Sequence, residues 1–242
     1  MNLSELQAEC GRLLSDPENT RWTASVLLKR LNIFQKEIQG VTKAIKTPKE
    51  YAVVASQGAA LLDDDTMDVY SAFITDASST SFPIFGTTTT HLDIQTPGWR
   101  EWGEGVPRCF VYNATTQIMG IYPTNSEALT LHTIEIIAPD DLVNPTDIPF
   151  DSNNQMIPYH MALVHPVVAQ CWMDDGTPEA LAKSAFHKSG NMDRPGQYEL
   201  HLKRIKAFFD INVDTRNRIH WKPQGGRVGQ YGMPTKTYPF RG

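Results

Sequence analysis

The chain has 242 residues, of which 40% are hydrophobic and 20% are charged, and its net charge is −5. A chain of this length can bury roughly 70–75% of the surface that it exposes when unfolded, so it needs no disulfide or metal to fold. The mild negative charge argues against a protein that binds nucleic acid with its whole surface.

Three scattered cysteines exclude a disulfide framework and any CxxC metal or redox motif. Their low number fits a reducing compartment. The sequence has no run of about 18 apolar residues, so we expect no membrane-spanning helix. Residues 1–14 lack the basic start and the apolar core of a signal peptide.

The N-terminal part of the chain predicts two helices with a short connection. Apolar residues recur at helical spacing over residues 3–14, where Ser4 is a candidate N-cap. The second helix begins near Thr23, and its apolar stripe consists of Val26, Leu27, Leu31, Phe34, Ile38, Val41 and Ile45. Residues 1–47 are therefore predicted to form a helical hairpin.

The periodicity then changes from helical to β-like. Runs of apolar or alternating residues predict strands at 51–55, 69–74, 108–112, 117–122 and 128–137. Residues 77–98 are rich in Ser, Thr, Gly and Pro and predict a loop. Together these patterns predict a β-rich, mostly antiparallel insertion over residues 48–156.

Helical patterning returns over residues 157–211. The first of these helices runs from about Met161 to Asp174, and it contains Pro166, which removes one backbone hydrogen bond and should kink it. Thr177 is the predicted N-cap of the next helix. A last helix is predicted to end near Ile211.

The charge is unevenly distributed along the chain. Residues 212–242, here called the C-terminal arm, carry six basic side chains and one acidic side chain, a net charge of +5. Residues 1–211 carry 16 basic and 26 acidic side chains, a net charge of −10. Two interpretations of the arm remain open: a solvated terminus, and a segment that orders on a partner. Its four aromatic residues favour the second.

No group of residues in the sequence predicts a catalytic or metal centre. His160 and His165 are five residues apart rather than four, so one helix face does not present both to a metal. Asp63, Asp64 and Asp65 lack the ligand spacing of an EF-hand and favour a solvated turn. Four glycines between residues 225 and 232 follow no strand and open no helix, unlike a phosphate-binding loop. We expect no enzymatic activity, no cofactor and no metal.

Five short motifs occur in order along residues 3–211. Their sequences are TRWT followed by VLLKRLN and QKEI, then GVPR and FVY, IMGIYP, IPYHMALV and DGTPEA. In this order and spacing they resemble the head-to-tail adaptor (connector) proteins of tailed bacteriophages. The pattern of that family begins W-[ST]…LL…LN.AQ.EI and continues with G.P..Y, I.LYP.P and IP..YH.ALV.

The resemblance implies an α+β fold, in which an antiparallel helical bundle carries an inserted β-rich region and an extended C-terminal tail. We predict one adaptor domain over residues 1–211 and the basic arm over residues 212–242. Members of this family are structural proteins that form a ring, usually a dodecamer, beneath the portal and connect the capsid to the tail or nozzle proteins. The implied location is the portal–tail junction of a virion assembled in the host bacterial cytoplasm, with DNA in transit through the channel and no membrane contact.

The C-terminal arm is the predicted binding segment for the portal and for the neighbouring subunit. Its 31 extended residues reach roughly 100 Å, whereas a compact chain of this length has a radius of gyration of about 18 Å. The candidate contact residues in the arm are Arg216, Arg218, Trp221, Lys222, Arg227, Tyr231, Lys236, Tyr238, Phe240 and Arg241. Further candidates for contacts between subunits are Trp172, Phe186, Phe208 and Phe209, although ordinary core packing is the favoured interpretation of each.

Two other functions fit parts of the sequence. One is a different phage structural protein, such as a tail-completion or baseplate component with a similar helical bundle. The other is a nucleic-acid-binding protein that uses the arm, since arginine and aromatic residues suit single strands. The acidic body argues against this second alternative.

Overall fold

Six α-helices and seven β-strands make up the described part of the chain. The computed structural model describes residues 1–150, 156–190 and 195–218, with side chains as far as residue 209. The helices are α1 (Leu3–Leu13), α2 (Ala24–Thr42), α3 (Thr89–Gln95), α4 (Met161–Asp175), α5 (Pro178–His187) and α6 (Gln197–Arg218). The strands are β1 (Lys46–Val53), β2 (Ala59–Leu61), β3 (Thr66–Thr75), β4 (Ser81–Gly86), β5 (Cys109–Asn113), β6 (Ile118–Tyr122) and β7 (Leu129–Ile137).

The seven strands form one mixed sheet in the order β1-β7-β3-β4-β5-β6-β2. All neighbouring strands are antiparallel except β4 and β5, which pair in parallel through Phe85 with Cys109 and Gly86 with Phe110. The edge strands β1 and β2 lie close together, so the sheet is nearly closed into a barrel. The prediction of an antiparallel helical bundle with an inserted β-rich region is therefore wrong. Over the residues described, the fold is a nearly closed seven-stranded barrel with six helices.

The error has a local cause and a long-range cause. Residues 77–98 were predicted to be a loop, but they contain β4 and helix α3. Strand β4 exists because β3 and β5 supply its hydrogen-bonding partners, and such pairing is invisible to local composition. Helix α3 is started by Thr88, whose hydroxyl accepts a hydrogen bond from the backbone N–H of His91 at 3.1 Å.

Two predicted strand features are confirmed. The hairpin of β5 and β6 pairs Cys109 with Tyr122 and Asn113 with Ile118, and the Asn113 side chain accepts a backbone N–H from Thr115 within the turn. Strand β7 alternates as predicted, with Leu131, Thr133 and Glu135 buried. These residues therefore share the inner face of the barrel.

The interior of the barrel is mostly apolar and encloses one carboxylate with its hydroxyl partners. Glu135 is fully buried and accepts hydrogen bonds from the hydroxyls of Thr66 and Thr133, both at 2.6 Å. The Tyr51 hydroxyl also bonds to this carboxylate, and burial together with Glu135 raises the pKa of Tyr51. The apolar core around this network comprises Val53, Ala60, Leu62, Val69, Ala72, Ile74, Ile84, Phe110, Met119, Ile121 and Leu131.

The helix boundaries follow their caps. Asn2, rather than the predicted Ser4, caps α1, and with Glu5 it forms a reciprocal capping box. The hydroxyl of Thr177 accepts a hydrogen bond from the N–H of Ala180 at the start of α5, as predicted. Thr23 occupies the N-cap of α2 without a side-chain hydrogen bond. Helix α6 continues to Arg218, past the predicted end at Ile211.

The chain divides into two compact units, residues 1–206 and residues 207–242. The first contains the barrel, helices α1 to α5 and the N-terminal part of α6. The described part of the second is the remainder of α6, where the rings of Phe208 and Phe209 pack edge to face. The predicted domain boundary at residue 211 stays a prediction.

Candidate interaction surface

Helix α4 is the centre of the helical region, because α1, α2 and α5 all pack against it. Nine of its residues are buried, and its apolar residues surround the helix on all sides. Pro166 lies within the helix and is itself buried, so Ala162 lacks its usual backbone donor four residues on. The contacts of α1, α2 and α5 with α4 therefore fix the positions of these three helices.

The connection between α1 and α2 is organised by the carboxylate of Asp16. It accepts backbone N–H bonds from Thr20, Arg21 and Trp22, each at 2.9 Å. These bonds lower the pKa of Asp16 to about 2, the bond from Trp22 contributing most. The TRWT motif thus has a structural role, since it fixes the path of the chain into α2.

The same motif ties the start of α2 to the end of α4. The guanidinium groups of Arg21 and Arg30 form ion pairs with Asp175 and Asp174, respectively. Both guanidinium groups also lie over the ring of Trp22, at 5.4 and 5.2 Å from its centroid. Together these contacts hold α2 against α4.

Polar residues of the next motif fasten the segment after β7 to α2. The Asn32 side chain exchanges two hydrogen bonds with the backbone of Leu142. Gln35 is fully buried, donates to the carbonyl of Asp140 at 2.7 Å and accepts the N–H of Phe150 at 2.9 Å. These amides satisfy backbone groups that no strand or helix pairs, which explains the polar residues of the LN and QKEI motifs.

Three apolar side chains of helix α2 are exposed, and charged residues lie between them along the helix. They are Val26, Ile33 and Val41; their exposed fractions are 36%, 53% and 42%. The sequence placed Val26 and Val41 on the buried stripe, which is wrong. The buried face is narrower, and its members are Leu27, Leu31, Phe34, Gln35, Ile38, Gln39 and Thr42.

Helix α5 also exposes apolar side chains. Its inner side buries Ala180, Ser184 and His187. On the opposite side, Pro178, Leu181, Ala182 and Phe186 are exposed and Ala185 is half-buried. Of the predicted contact residues, Phe186 is 59% exposed, whereas Trp172 is only 9% exposed. The Lys183 ammonium lies over the Trp172 ring, 4.7 Å from its centroid.

A shallow aromatic cavity of about 260 Å³ lies where Trp99 packs edge to face on Tyr122. Its other lining residues are Arg100, Trp102, Pro123 and Thr124. The Asp93 carboxylate accepts from the indole N–H of Trp99 at 2.7 Å and pairs with Arg100. The contacts of Asp93 therefore hold Trp99 and Arg100, which form the wall of the cavity, in place.

Three histidines meet between α4, α5 and α6. The Nδ1 atoms of His165 and His187 lie 3.0 Å apart, and the ring of His165 also stacks on His201 at 5.4 Å. Burial, reinforced by the two neighbouring rings, lowers the pKa of His165 to about 4. Among the described residues, no cluster of three or more histidine, cysteine or acidic side chains is arranged to hold a metal ion. Burial also lowers the pKa of His187 and His201, so the packing favours the neutral form of all three rings.

The residues predicted to carry binding lie mostly beyond the described structure. Arg216 and Arg218 belong to the described backbone of α6, but their side chains are outside the described residues. Eight further arm residues lie outside the described residues altogether: Trp221, Lys222, Arg227, Tyr231, Lys236, Tyr238, Phe240 and Arg241. Their predicted role in binding stays a prediction.

The arrangement defines a class of protein that presents surfaces to other chains. Helices α2 and α5 expose apolar side chains, and residues of the sequence motifs fix the position of α2 against α4. The sequence matches the family described as SU10 adaptor protein over residues 1–194. The chain therefore belongs to this family of phage head-to-tail adaptors. No curated protein matches it.

The match confirms the predicted family and the coarse assignment that came with it. The protein is a phage adaptor with a structural role, a component of the virion that interacts with head and tail components. In the residues described, no helix is both long enough and apolar enough to cross a bilayer.

Proposed function

We propose that the protein forms a homo-oligomeric ring, usually a dodecamer in such adaptors, that attaches beneath the portal and extends the DNA channel toward the tail or nozzle proteins. The observation that carries this proposal is the family match over residues 1–194. The role is structural rather than enzymatic. The ring belongs at the portal–tail junction after assembly in the bacterial cytoplasm, and DNA meets it only in transit.

The C-terminal arm locks the adaptor to the portal and to neighbouring subunits. Its net charge of +5 complements the net charge of −10 on residues 1–211, so acidic grooves of a neighbouring body are suitable targets. Its four aromatic residues supply the large apolar contacts that anchor extended segments in pockets. The length of the arm allows it to contact more than one chain.

The test is pull-down of the adaptor by purified portal rings, with and without residues 212–242. Deletion of the arm is expected to weaken binding at least about tenfold, because the charged and aromatic contacts are lost together. A matched variant, in which Trp221, Tyr231, Tyr238 and Phe240 become serine, keeps every charge and isolates the aromatic contribution. Undiminished binding by the deletion variant contradicts the proposed role of the arm.

Two assays separate the proposal from its alternatives. Electron microscopy of portal rings mixed with the protein shows density capping the lower end of the portal only if the protein is an adaptor at that position. A nucleic-acid-binding protein predicts steep, salt-dependent binding to single-stranded DNA in a mobility-shift assay. We expect weak binding at most, since the acidic body repels phosphate.

A further inference from the structure

We infer that the aromatic cavity at Trp99 and Tyr122 of one subunit binds residues 236–241 of the neighbouring subunit. We call this segment of the C-terminal arm the arm tip; its sequence is KTYPFR. The inference rests on the proposed function, because it names the site on the neighbouring subunit to which the arm binds. The cavity lies within residues 1–206 and within the part of the chain that matches the adaptor family.

The size and lining of the cavity favour one large side chain as its occupant. Its volume is about 260 Å³, which is below the roughly 300–1,000 Å³ of pockets that hold drug-sized ligands. Its lining contains two tryptophans, a tyrosine and a proline. Aromatic rings pack favourably on other aromatic rings, edge to face or offset. The cavity therefore fits an aromatic side chain of another chain segment.

The wall of the cavity is fixed without an occupant. The Asp93 carboxylate accepts the indole N–H of Trp99 at 2.7 Å and forms an ion pair with Arg100. The Arg100 guanidinium in turn lies over the Trp99 ring, 4.4 Å from its centroid. A site that is ordered in advance loses little conformational freedom on binding, so more of the contact energy contributes to affinity.

Two exposed carboxylates lie next to the tryptophans of the cavity. Glu101 precedes Trp102, and Glu104 follows it by two residues and accepts the Ser56 hydroxyl at 2.6 Å. Neither carboxylate forms an ion pair with any residue that the structure describes. Both are therefore available to cations of another chain.

The arm tip has the complementary chemistry. Tyr238 and Phe240 flank Pro239, and Lys236 and Arg241 stand at the two ends of the segment, which contains no acidic residue. Aromatic-lined grooves recognise extended segments that contain proline. Proline also restricts the residue before it to extended conformations, which lowers the ordering cost of binding. Its aromatic side chains therefore suit the cavity, and its basic side chains suit the two carboxylates.

The chain between the described structure and the arm tip is long enough for a contact between subunits. The described backbone ends at Arg218, and residues 219–235 separate it from the arm tip. Extended, this segment reaches roughly 60 Å, whereas a compact chain of this size has a radius of gyration of about 18 Å. The arm tip and the cavity are different surfaces, so the contact repeats head to tail and can close a ring.

The test is cysteine cross-linking between Gly103→Cys and Thr237→Cys with a short bismaleimide, in the presence and absence of portal rings. A Cβ at Gly103, beside Trp102, meets no atom within 4 Å, so this cysteine should not disturb the fold. The double variant is expected to give a ladder of covalent multimers, and a mixture of the two single variants should give dimers linked between positions 103 and 237. Cross-links only within one chain, or none, overturn the inference.

A matched variant controls for unspecific capture of the arm. It combines Thr237→Cys with Ala77→Cys, at an exposed residue of a second shallow cavity of about 300 Å³ whose lining contains no aromatic residue. Its yield of multimers should be at least about fivefold lower, because the aromatic contacts are absent. The three native cysteines are buried, so the unmodified protein is the reagent control. Equal yields from the two double variants overturn the inference.

The cross-linking separates the inference from the proposed function. If the Gly103→Cys, Thr237→Cys variant binds portal rings but gives no ladder, the inference fails and the proposed function stands. If it gives a ladder but does not bind portal rings, the inference stands and the portal placement fails. If it does neither, both fail.

A charge reversal provides a second measurement in the same double-cysteine protein. Glu101→Lys is expected to reduce the yield of multimers at least about threefold, because it repels the basic ends of the arm tip. Glu18→Lys, at an exposed glutamate in the connection between α1 and α2, is the control and should leave the yield unchanged. Both sites are exposed, so both variants should fold. Equal yields from the two variants contradict the binding of the arm tip beside Glu101.

Discussion

The barrel and the helical region accommodate buried polar groups in opposite ways. The barrel encloses an acidic side chain, Glu135, and surrounds it with hydroxyl donors. The helical region encloses the three-histidine cluster, whose rings burial favours in the neutral form. Each group is tolerated for a different reason: the carboxylate because its oxygens accept hydrogen bonds, the imidazoles because burial favours their neutral form.

The two regions also differ in how they are completed, although both expose apolar side chains; in the barrel, Val54 and Leu61 are 65% and 69% exposed. In the barrel, the two edge strands of the sheet, β1 and β2, lie near each other, so little of either edge is left open. The helical region completes its core around α4 and still exposes apolar side chains of α2 and α5. The comparison shows that a helix can complete the core with one side and still expose apolar side chains on another, because its opposite sides are independent surfaces.

The largest expected effect is on the free energy of unfolding, and it compares a buried leucine of the helical region with an exposed one. Leu163→Ala removes a fully buried side chain of α4 and should cost about 3 kcal/mol of unfolding free energy, because it leaves a cavity. Leu181→Ala, at an exposed leucine, should cost less than about 0.5 kcal/mol. Urea denaturation of the monomer measures both. Similar losses would show that Leu181 belongs to the core.

The next prediction tests the buried carboxylate of the barrel. Glu135→Ala should cost about 2–3 kcal/mol, because the hydroxyls of Thr66, Thr133 and Tyr51 lose their acceptor. Glu135→Gln keeps one acceptor oxygen and should cost less. Hydrogen exchange should show the loss of protection in β3 and β7 before α4. Equal stability of the alanine variant would mean that the network contributes nothing.

The third prediction concerns pH and the helical region. The pKa of His165 is lowered from 6.5 to about 4 in the folded state, so the unfolded state binds protons first as the pH falls. The contribution of neutral His165 to the free energy of unfolding is fully present above pH 6.5 and is lost progressively as the pH falls toward 4. The urea concentration at the unfolding midpoint should therefore decrease when the pH is lowered from 7 to 5. His165→Gln should make this decrease smaller.

His91→Gln is the control for this pH dependence, since His91 lies on α3 and outside the cluster. It should leave the difference between the two pH values unchanged. If both variants behave like the unmodified chain, the histidine cluster does not set the acid response.

The smallest expected effect compares two threonines at helix N-caps. Thr177→Ala should cost about 1 kcal/mol, because the hydroxyl accepts the N–H of Ala180. Thr23→Ala should cost close to nothing, because Thr23 makes no such bond. Thermal unfolding of the two variants checks the difference. A larger loss at Thr23 would contradict the cap assignment.

Local patterns predicted the individual elements better than their assembly. The hairpin of β5 and β6, the alternation of β7 and the cap at Thr177 all follow from neighbouring residues, and the structure shows them. The barrel could not be predicted, because its closure depends on β1 meeting β2 and on β4 meeting β5. For the candidate surface, the sequence placed seven apolar residues of the predicted second helix on one stripe, because local spacing does not show which of them a neighbouring element covers.

The sequence by itself determined the family, the order of most elements and the charge difference between residues 1–211 and the C-terminal arm. These depend on residue identity and short spacing, which the chain carries without folding. Only the tertiary structure decided that the sheet is a nearly closed barrel, that Val26 and Val41 face outward and that three histidines meet. Those features depend on contacts between residues far apart in the chain, and local periodicity contains no information about such contacts.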